Sequence, residues 1–160
     1  MKTLLIVWHS RTGGARQMAD AAAGAADDVA VRLLPAAEAG GADLLGADGY
    51  IFAAPENLAS LSGPMKDFFD RSYYAVGDRL AGRPYGLMVC AGSDGAGVVR
   101  QVSRIATGWR LRAVAAPLIV CTGAQTPEAI AAAKIIPADA LARCAEMGAA
   151  IAAGLAAGIF

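Results

Sequence analysis

Ser10-Arg11-Thr12-Gly13-Gly14-Ala15 follows the apolar run Leu4-Leu5-Ile6-Val7-Trp8 and leads into an alanine-rich helical stretch. Residues of these types in this order suit the holding of a phosphate group. The first N–H groups of a helix have no intrahelical partner, and the helix dipole draws negative charge to that end. Gly13 and Gly14 let the backbone come close to such an anion. Ser10 and Thr12 add hydroxyl donors. The remaining reactive residue types are sparse. His9 is the sole histidine, and a lone histidine at a strand end is read as structural. Cys90, Cys121 and Cys144 show no C-x-x-C spacing. They are expected to be reduced thiols of a cytoplasmic protein. No side chain stands out as catalytic, and no ligand set for a metal is apparent.

The elements that must position this turn form a regular alternation. Thr3–Trp8 is apolar throughout, as a strand covered on both faces should be. Gly14–Ala26 has helical spacing. Val29–Leu34 is a second strand, stopped by Pro35, and Ala36–Leu45 a short helix. Gly49–Ala54 is a third strand ended by Pro55. Gly63–Tyr74 is a helix with Pro64 in its first turn, where the missing N–H matters least. Tyr85–Ala91 is strand four, Gly97–Thr107 a helix, and Ala113–Cys121 strand five, where Pro117 implies an edge or a bulge. Thr126–Lys134 and Ala138–Leu155 complete the pattern, broken at Pro137. Leu141, Cys144, Gly148, Ile151 and Leu155 fall on one stripe that would cover the sheet or, less simply, form a dimer seam. Strands alternating with helices imply one parallel sheet with helices on both faces. Ligands then collect outside the carboxyl ends of the strands. Three loops leave those ends: His9–Ala15, Pro55–Ser62 and Gly92–Gly97.

The chain has 160 residues, expected to form a single domain (1–160). Hydrophobic residues make up 56%, much of it alanine, which suits close helix packing more than membrane insertion. Fourteen basic and 14 acidic residues balance, so no electrostatic footprint for nucleic acid is present. The apolar run near Met1 is too short for the ~7–15-residue core of a secretory leader. No stretch approaches the ~18 apolar residues of a membrane span.

Three segments together resemble the flavodoxin-like superfamily, in particular its NAD(P)H-dependent FMN or quinone reductases. The first is Ser10-Arg11-Thr12-Gly13-Gly14-Ala15, similar to the T/S-x-T-G-x-T phosphate loop. The second is Asp48–Asn57 followed by Ser62-Gly63-Pro64-Met65-Lys66-Asp67-Phe68-Phe69-Asp70-Arg71. The third is Ala91-Gly92-Ser93-Asp94-Gly95-Ala96-Gly97. The resemblance implies a flavodoxin-like three-layer α/β/α sandwich with a five-stranded parallel sheet of order 2-1-3-4-5. It implies FMN as cofactor and NADPH or NADH as reductant, with a quinone, a flavin or another small molecule as acceptor. Ser10, Arg11, Thr12, Gly13, Gly14 and Ala15 would serve the phosphate. Pro55, Glu56, Asn57 and Leu58 would run along one edge of the flavin ring, and Ala91, Gly92, Ser93 and Gly95 would approach its other side. A homo-oligomer is also implied.

Two departures shape the functional expectation. Ala15 stands where the family usually has Thr or Asn, so one hydroxyl donor is missing and Arg16 is a candidate replacement. Neither ring loop contains an aromatic residue, and the chain is neutral. Electron-carrier flavodoxins usually sandwich the ring between aromatic side chains and are acidic. An uncovered ring face suits hydride transfer and favours a reductase. The alternatives are a flavodoxin-type carrier with no NAD(P)H turnover of its own, and a binding module that kept the fold without the flavin. Glu56 could tune the flavin or simply be solvated, and Asp94 could meet the ribityl chain or serve a turn. Tyr73 and Tyr74 are expected to pack against their own chain.

Overall fold

The computed structural model describes residues 1–160. Its elements are β1 (Thr3–Trp8), α1 (Gly14–Gly24), β2 (Ala30–Pro35), α2 (Gly41–Leu45), β3 (Gly49–Asn57), β4 (Ser60–Leu61), α3 (Gly63–Val76), β5 (Pro84–Ala91), α4 (Ala96–Gly108), β6 (Arg112–Ala113), β7 (Leu118–Cys121), α5 (Pro127–Ala131) and α6 (Ala138–Ala156). The parallel sheet runs β2-β1-β3-β5, and its last position is shared by β6 and β7. Counting that divided strand once, the order is the expected 2-1-3-4-5.

Side-chain alternation splits the core between two faces. Leu5, Val7, Tyr50, Phe52, Leu87 and Val89 meet the buried sides of α2, α3 and α4. Leu4, Ile6, Ile51, Ala53, Met88 and Cys90 meet α1 and α6. The first face is aromatic: Phe52 lies 5.1 Å from Phe69 and 6.3 Å from Phe68, and Phe69 lies 5.5 Å from Trp109 between ring centroids. The second has no aromatic residue in its buried cluster and mixes aliphatic side chains with alanines. Gly148 of α6 lies against the backbone of Ala22 in α1, where a Cβ would collide with the Ala22 carbonyl. The stripe of α6 therefore covers α1 and the sheet. No helix is long and apolar enough to cross a membrane.

Several boundaries shift by one or two residues, β2 taking in Pro35 opposite Trp8, and four differ in kind from the sequence reading. β3 does not stop at Pro55 but continues to Asn57 and folds back through β4. β1 pairs with β3 only as far as Ala53, so one flank of β3 is open at Pro55 and the missing N–H is tolerated there. The helix expected over 36–45 is confined to Gly41–Leu45, because two glycines follow Ala39 and delay its start. Strand five is interrupted before Leu118, next to Pro117. The helix expected over 126–134 ends at Ala131, and the chain beyond it is extended at Ala132. The exposed pairs Lys66–Asp70 (2.7 Å) and Asp67–Arg71 (2.6 Å) form on α3 as the spacing suggests. Tyr73 and Tyr74 pack against each other, with ring centroids 5.2 Å apart, and both remain exposed.

Candidate functional site at the carboxyl rim of the sheet

The turn between β1 and α1 is set by Gly13, whose φ of +92° lies in the region that favours glycine. Its N–H donates to Ser10 Oγ at 2.9 Å. The amides of Gly14, Ala15 and Arg16 find no acceptor in the protein, and no acidic residue occupies the first turn of α1. These are the properties of an anion site. Ser10 still has its own hydroxyl proton to donate. Arg11 is exposed and free of ion pairs. Arg16, the candidate substitute for the donor missing at Ala15, is engaged elsewhere. Its guanidinium bonds Asp20 at 2.8 Å and lies 4.4 Å from the centre of a Trp8 ring. The Ala15 methyl is buried in the core, so this residue offers the rim only its amide. Gly14 answers a packing need more than ligand approach: a Cβ there would sit 2.5 Å from Cys90 Sγ. Burial raises the pKa of the Cys90 thiol, in keeping with a buried apolar role.

A segment distant in sequence braces this turn. Lys134 N–H donates to the Thr12 carbonyl at 2.8 Å. Gln17 Nε2 donates to the carbonyls of Gly13 (2.9 Å) and Lys134 (2.7 Å), and Gln17 Oε1 accepts from Ile136 N–H at 3.1 Å. Sequence reasoning missed Gln17, since its partners lie up to 119 residues away.

The second loop is a hairpin. Asn57 pairs with Ser60 across a two-residue turn in which Leu58 (φ +51°) and Ala59 (φ +60°) are both left-handed. Leu58 is fully exposed at the tip. The hairpin is fastened to α4. Gln101 Oε1 accepts from Leu61 N–H at 2.7 Å, and Gln101 Nε2 donates to Ser60 Oγ at 3.0 Å. The Ala59 carbonyl rests against Gly97, where a Cβ would collide with it. Glu56 is not a solvated loop carboxylate: its Oε2 accepts from Gly95 N–H at 2.8 Å. Asp94 serves its own turn, accepting from Ala96 N–H at 3.2 Å.

The three loops therefore form one rim. Glu56 joins the second to the third. His9 joins the first to the end of the second through its Nδ1 and Ser62 Oγ, 2.8 Å apart. Burial, aided by the nearby Arg11 charge, lowers the His9 pKa. Two helices begin at this rim and differ in kind. The amides that lead into α4, of Gly95 and Ala96, meet the carboxylates of Glu56 and Asp94, whereas no carboxylate meets the amides that open α1. An anion is thus directed to α1. No aromatic side chain occurs in residues 55–62 or 92–97, and Ser93 is exposed.

A concavity of about 380 Å³ lies at the opposite rim beside Lys2, Asp48 and Arg83. There Arg83 is committed to the fold, donating to the carbonyls of Leu44 (2.8 Å), Leu45 (3.1 Å) and Ala47 (2.5 Å) and to Tyr50 Oη (3.0 Å). Lys2 is paired with Asp48 at 3.0 Å. No three His, Cys, Asp or Glu residues gather as a metal site.

Comparison with known proteins identifies the family and the fold. The model of a family described as NADPH-dependent FMN reductase matches residues 17–126. A flavodoxin of Aquifex aeolicus is 36% identical over 100 residues, 61% of this chain. The match spans 52% of that protein, so the chain covers about half the length of this relative. Oxidised flavodoxin 1 of Bacillus cereus superposes with a TM-score of 0.77 at 20% identity, covering 96% of this chain and 99% of its own. A flavodoxin-like protein of Agrobacterium tumefaciens described as WrbA-like gives 0.69 at 20% identity, with 96% of each chain covered. These structural likenesses establish the flavodoxin-like fold.

Proposed function

This chain belongs to the NADPH-dependent FMN reductase family, whose model covers most of its length, and on that footing we propose that it binds FMN at the carboxyl rim and passes reducing equivalents from NADPH or NADH to a quinone, a flavin or another small acceptor. The amides of Gly14, Ala15 and Arg16, with the Ser10 and Thr12 hydroxyls and the Arg11 charge, would hold the phosphate. Pro55, Glu56, Asn57 and Leu58 on one side, and Ala91, Gly92, Ser93 and Gly95 on the other, would receive the ring end. Bound FMN supplies the hydride and electron chemistry. The protein's share is binding, orientation and access. The observation that carries this reading is that no carboxylate meets the amides opening α1, whereas Glu56 and Asp94 sit at the entry to α4. Negative charge already stands at the entry to α4 and is missing at that of α1. The lack of aromatic cover on both ring loops supports access by a second flat molecule and hence turnover.

The test is steady-state oxidation of NADPH and of NADH by the FMN-loaded protein with a quinone and no partner protein. Sustained turnover is expected. A second reading has its own support, because the Aquifex relative is named a flavodoxin. Under that reading FMN binds, but neither nicotinamide is consumed without a separate reductase.

A further inference from the structure

We propose that Glu56 is a positioning residue: its carboxylate ties the β3–β4 hairpin to the 92–95 loop, so that the wall for the flat end of the ligand is shaped before the ligand arrives. This rests on the FMN reading above and adds a role to it. Leu58 and Ala59 both occupy the left-handed region without a glycine between them. L-residues disfavour that conformation, so the turn persists only if its surroundings hold it. Two side chains do so. Gln101 grips the returning strand at Ser60 and Leu61, which anchors the hairpin to the body of α4. Glu56 alone spans from the outgoing strand to the third loop, reaching Gly95 N–H at 2.8 Å. Gly95 is the residue before α4 and has a φ of +88°, so its amide direction is fixed by the same turn. The bond is charge-assisted and sits at the positive end of a 13-residue helix, both of which strengthen it. Glu56 therefore acts through the backbone it holds. A rigid wall spares the ligand the cost of ordering it on binding.

The experiment compares wild type, Glu56→Gln and Glu56→Ala, each free of flavin. Amide exchange is read at Gly95 and Leu61, and FMN, riboflavin and inorganic phosphate are titrated separately. Loss of a hydrogen bond to a charged group predicts that Glu56→Ala weakens FMN and riboflavin alike by about tenfold. Phosphate affinity should stay unchanged. Exchange should quicken at Gly95 and also at Leu61, the cross-strand partner of Glu56, whose N–H bonds Gln101 and not the Glu56 carboxylate. Glu56→Gln keeps an oxygen acceptor and should recover most of the affinity and protection. The proposal is overturned if acceleration stays confined to Gly95 with flavin affinity intact. It is also overturned if phosphate affinity falls in step with FMN, or if Glu56→Gln is as poor as Glu56→Ala. Should wild type bind no flavin, the proposed function fails, while the exchange at Leu61 still decides whether Glu56 holds the hairpin.

Discussion

Gly13→Ala isolates the turn on which phosphate binding depends. The φ of +92° and ψ of −9° at Gly13 put an L-residue in a disfavoured region. Space is not the obstacle, since the nearest atom to an added Cβ is Gln17 Nε2 at 3.6 Å. The penalty is therefore conformational, about 1–2 kcal/mol. It can be met in two ways. If the turn keeps its shape, unfolding stability falls by that amount and the melting temperature by about 2–8 °C for a chain of this size. If the turn relaxes, the amides of Gly14, Ala15 and Arg16 lose their common aim, and FMN affinity falls by up to about thirtyfold. The two losses together should total about 1–2 kcal/mol. Denaturant unfolding of the flavin-free protein and fluorescence titration with FMN measure them separately. Gly24→Ala is the control. Nothing lies within 4 Å of a Cβ at Gly24 and its φ is not positive, so alanine there should be neutral or stabilising. A Gly13→Ala protein equal to wild type in both stability and FMN affinity would refute the reasoning.

Four further outcomes follow from the same structure. Arg11→Gln should weaken FMN several-fold, flatten the salt dependence of binding and leave riboflavin binding unchanged, because the guanidinium is exposed and unpaired (titrations at two ionic strengths). His9 has a folded pKa below its ordinary value of about 6.5. Its neutral form is thus the one favoured by folding: stability is constant above about pH 6.5 and falls as pH drops below it, until the folded pKa is passed. His9→Asn should flatten that slope in denaturant unfolding from pH 7 to 5. Phe52→Ala, at the centre of the aromatic face, should cost about 3–5 kcal/mol of stability by chemical denaturation. Gly148→Val should destabilise the protein and weaken FMN binding together, because α6 would push on α1 through Ala22.

Much of this fold is legible in the residues because the strands are continuously apolar and the connections carry glycine and proline. Leu4–Val7 announces a buried central strand, and Gly13 and Gly95 mark the two strand-to-helix turns of the rim. What stayed hidden has a common cause: it depends on partners far along the chain. Pro55 reads as a strand end in isolation, and only the early end of β1 shows why β3 passes it. Leu58 and Ala59 carry no turn signal, since neither is Gly, Asn or Asp, so the hairpin is invisible without the grip of Gln101 and Glu56. Gln17 lies on the first helix like any polar surface residue until the segment around Lys134 crosses it. Gly14 invites a ligand explanation from its place in the loop, yet Cys90 occupies the space its side chain would need. Ala15 and Arg16 show the limit from the other side. The missing hydroxyl is plain in the sequence, whereas the diversion of Arg16 to Asp20 and Trp8 is a matter of three-dimensional neighbours.

The most direct measurement is a crystal structure of the protein soaked with FMN. The account predicts the phosphate oxygens within hydrogen-bonding distance of the Gly14, Ala15 and Arg16 amides, with Glu56 still joined to Gly95. A phosphate seated at the start of α4, at the Arg83 cavity or nowhere on the molecule would contradict it.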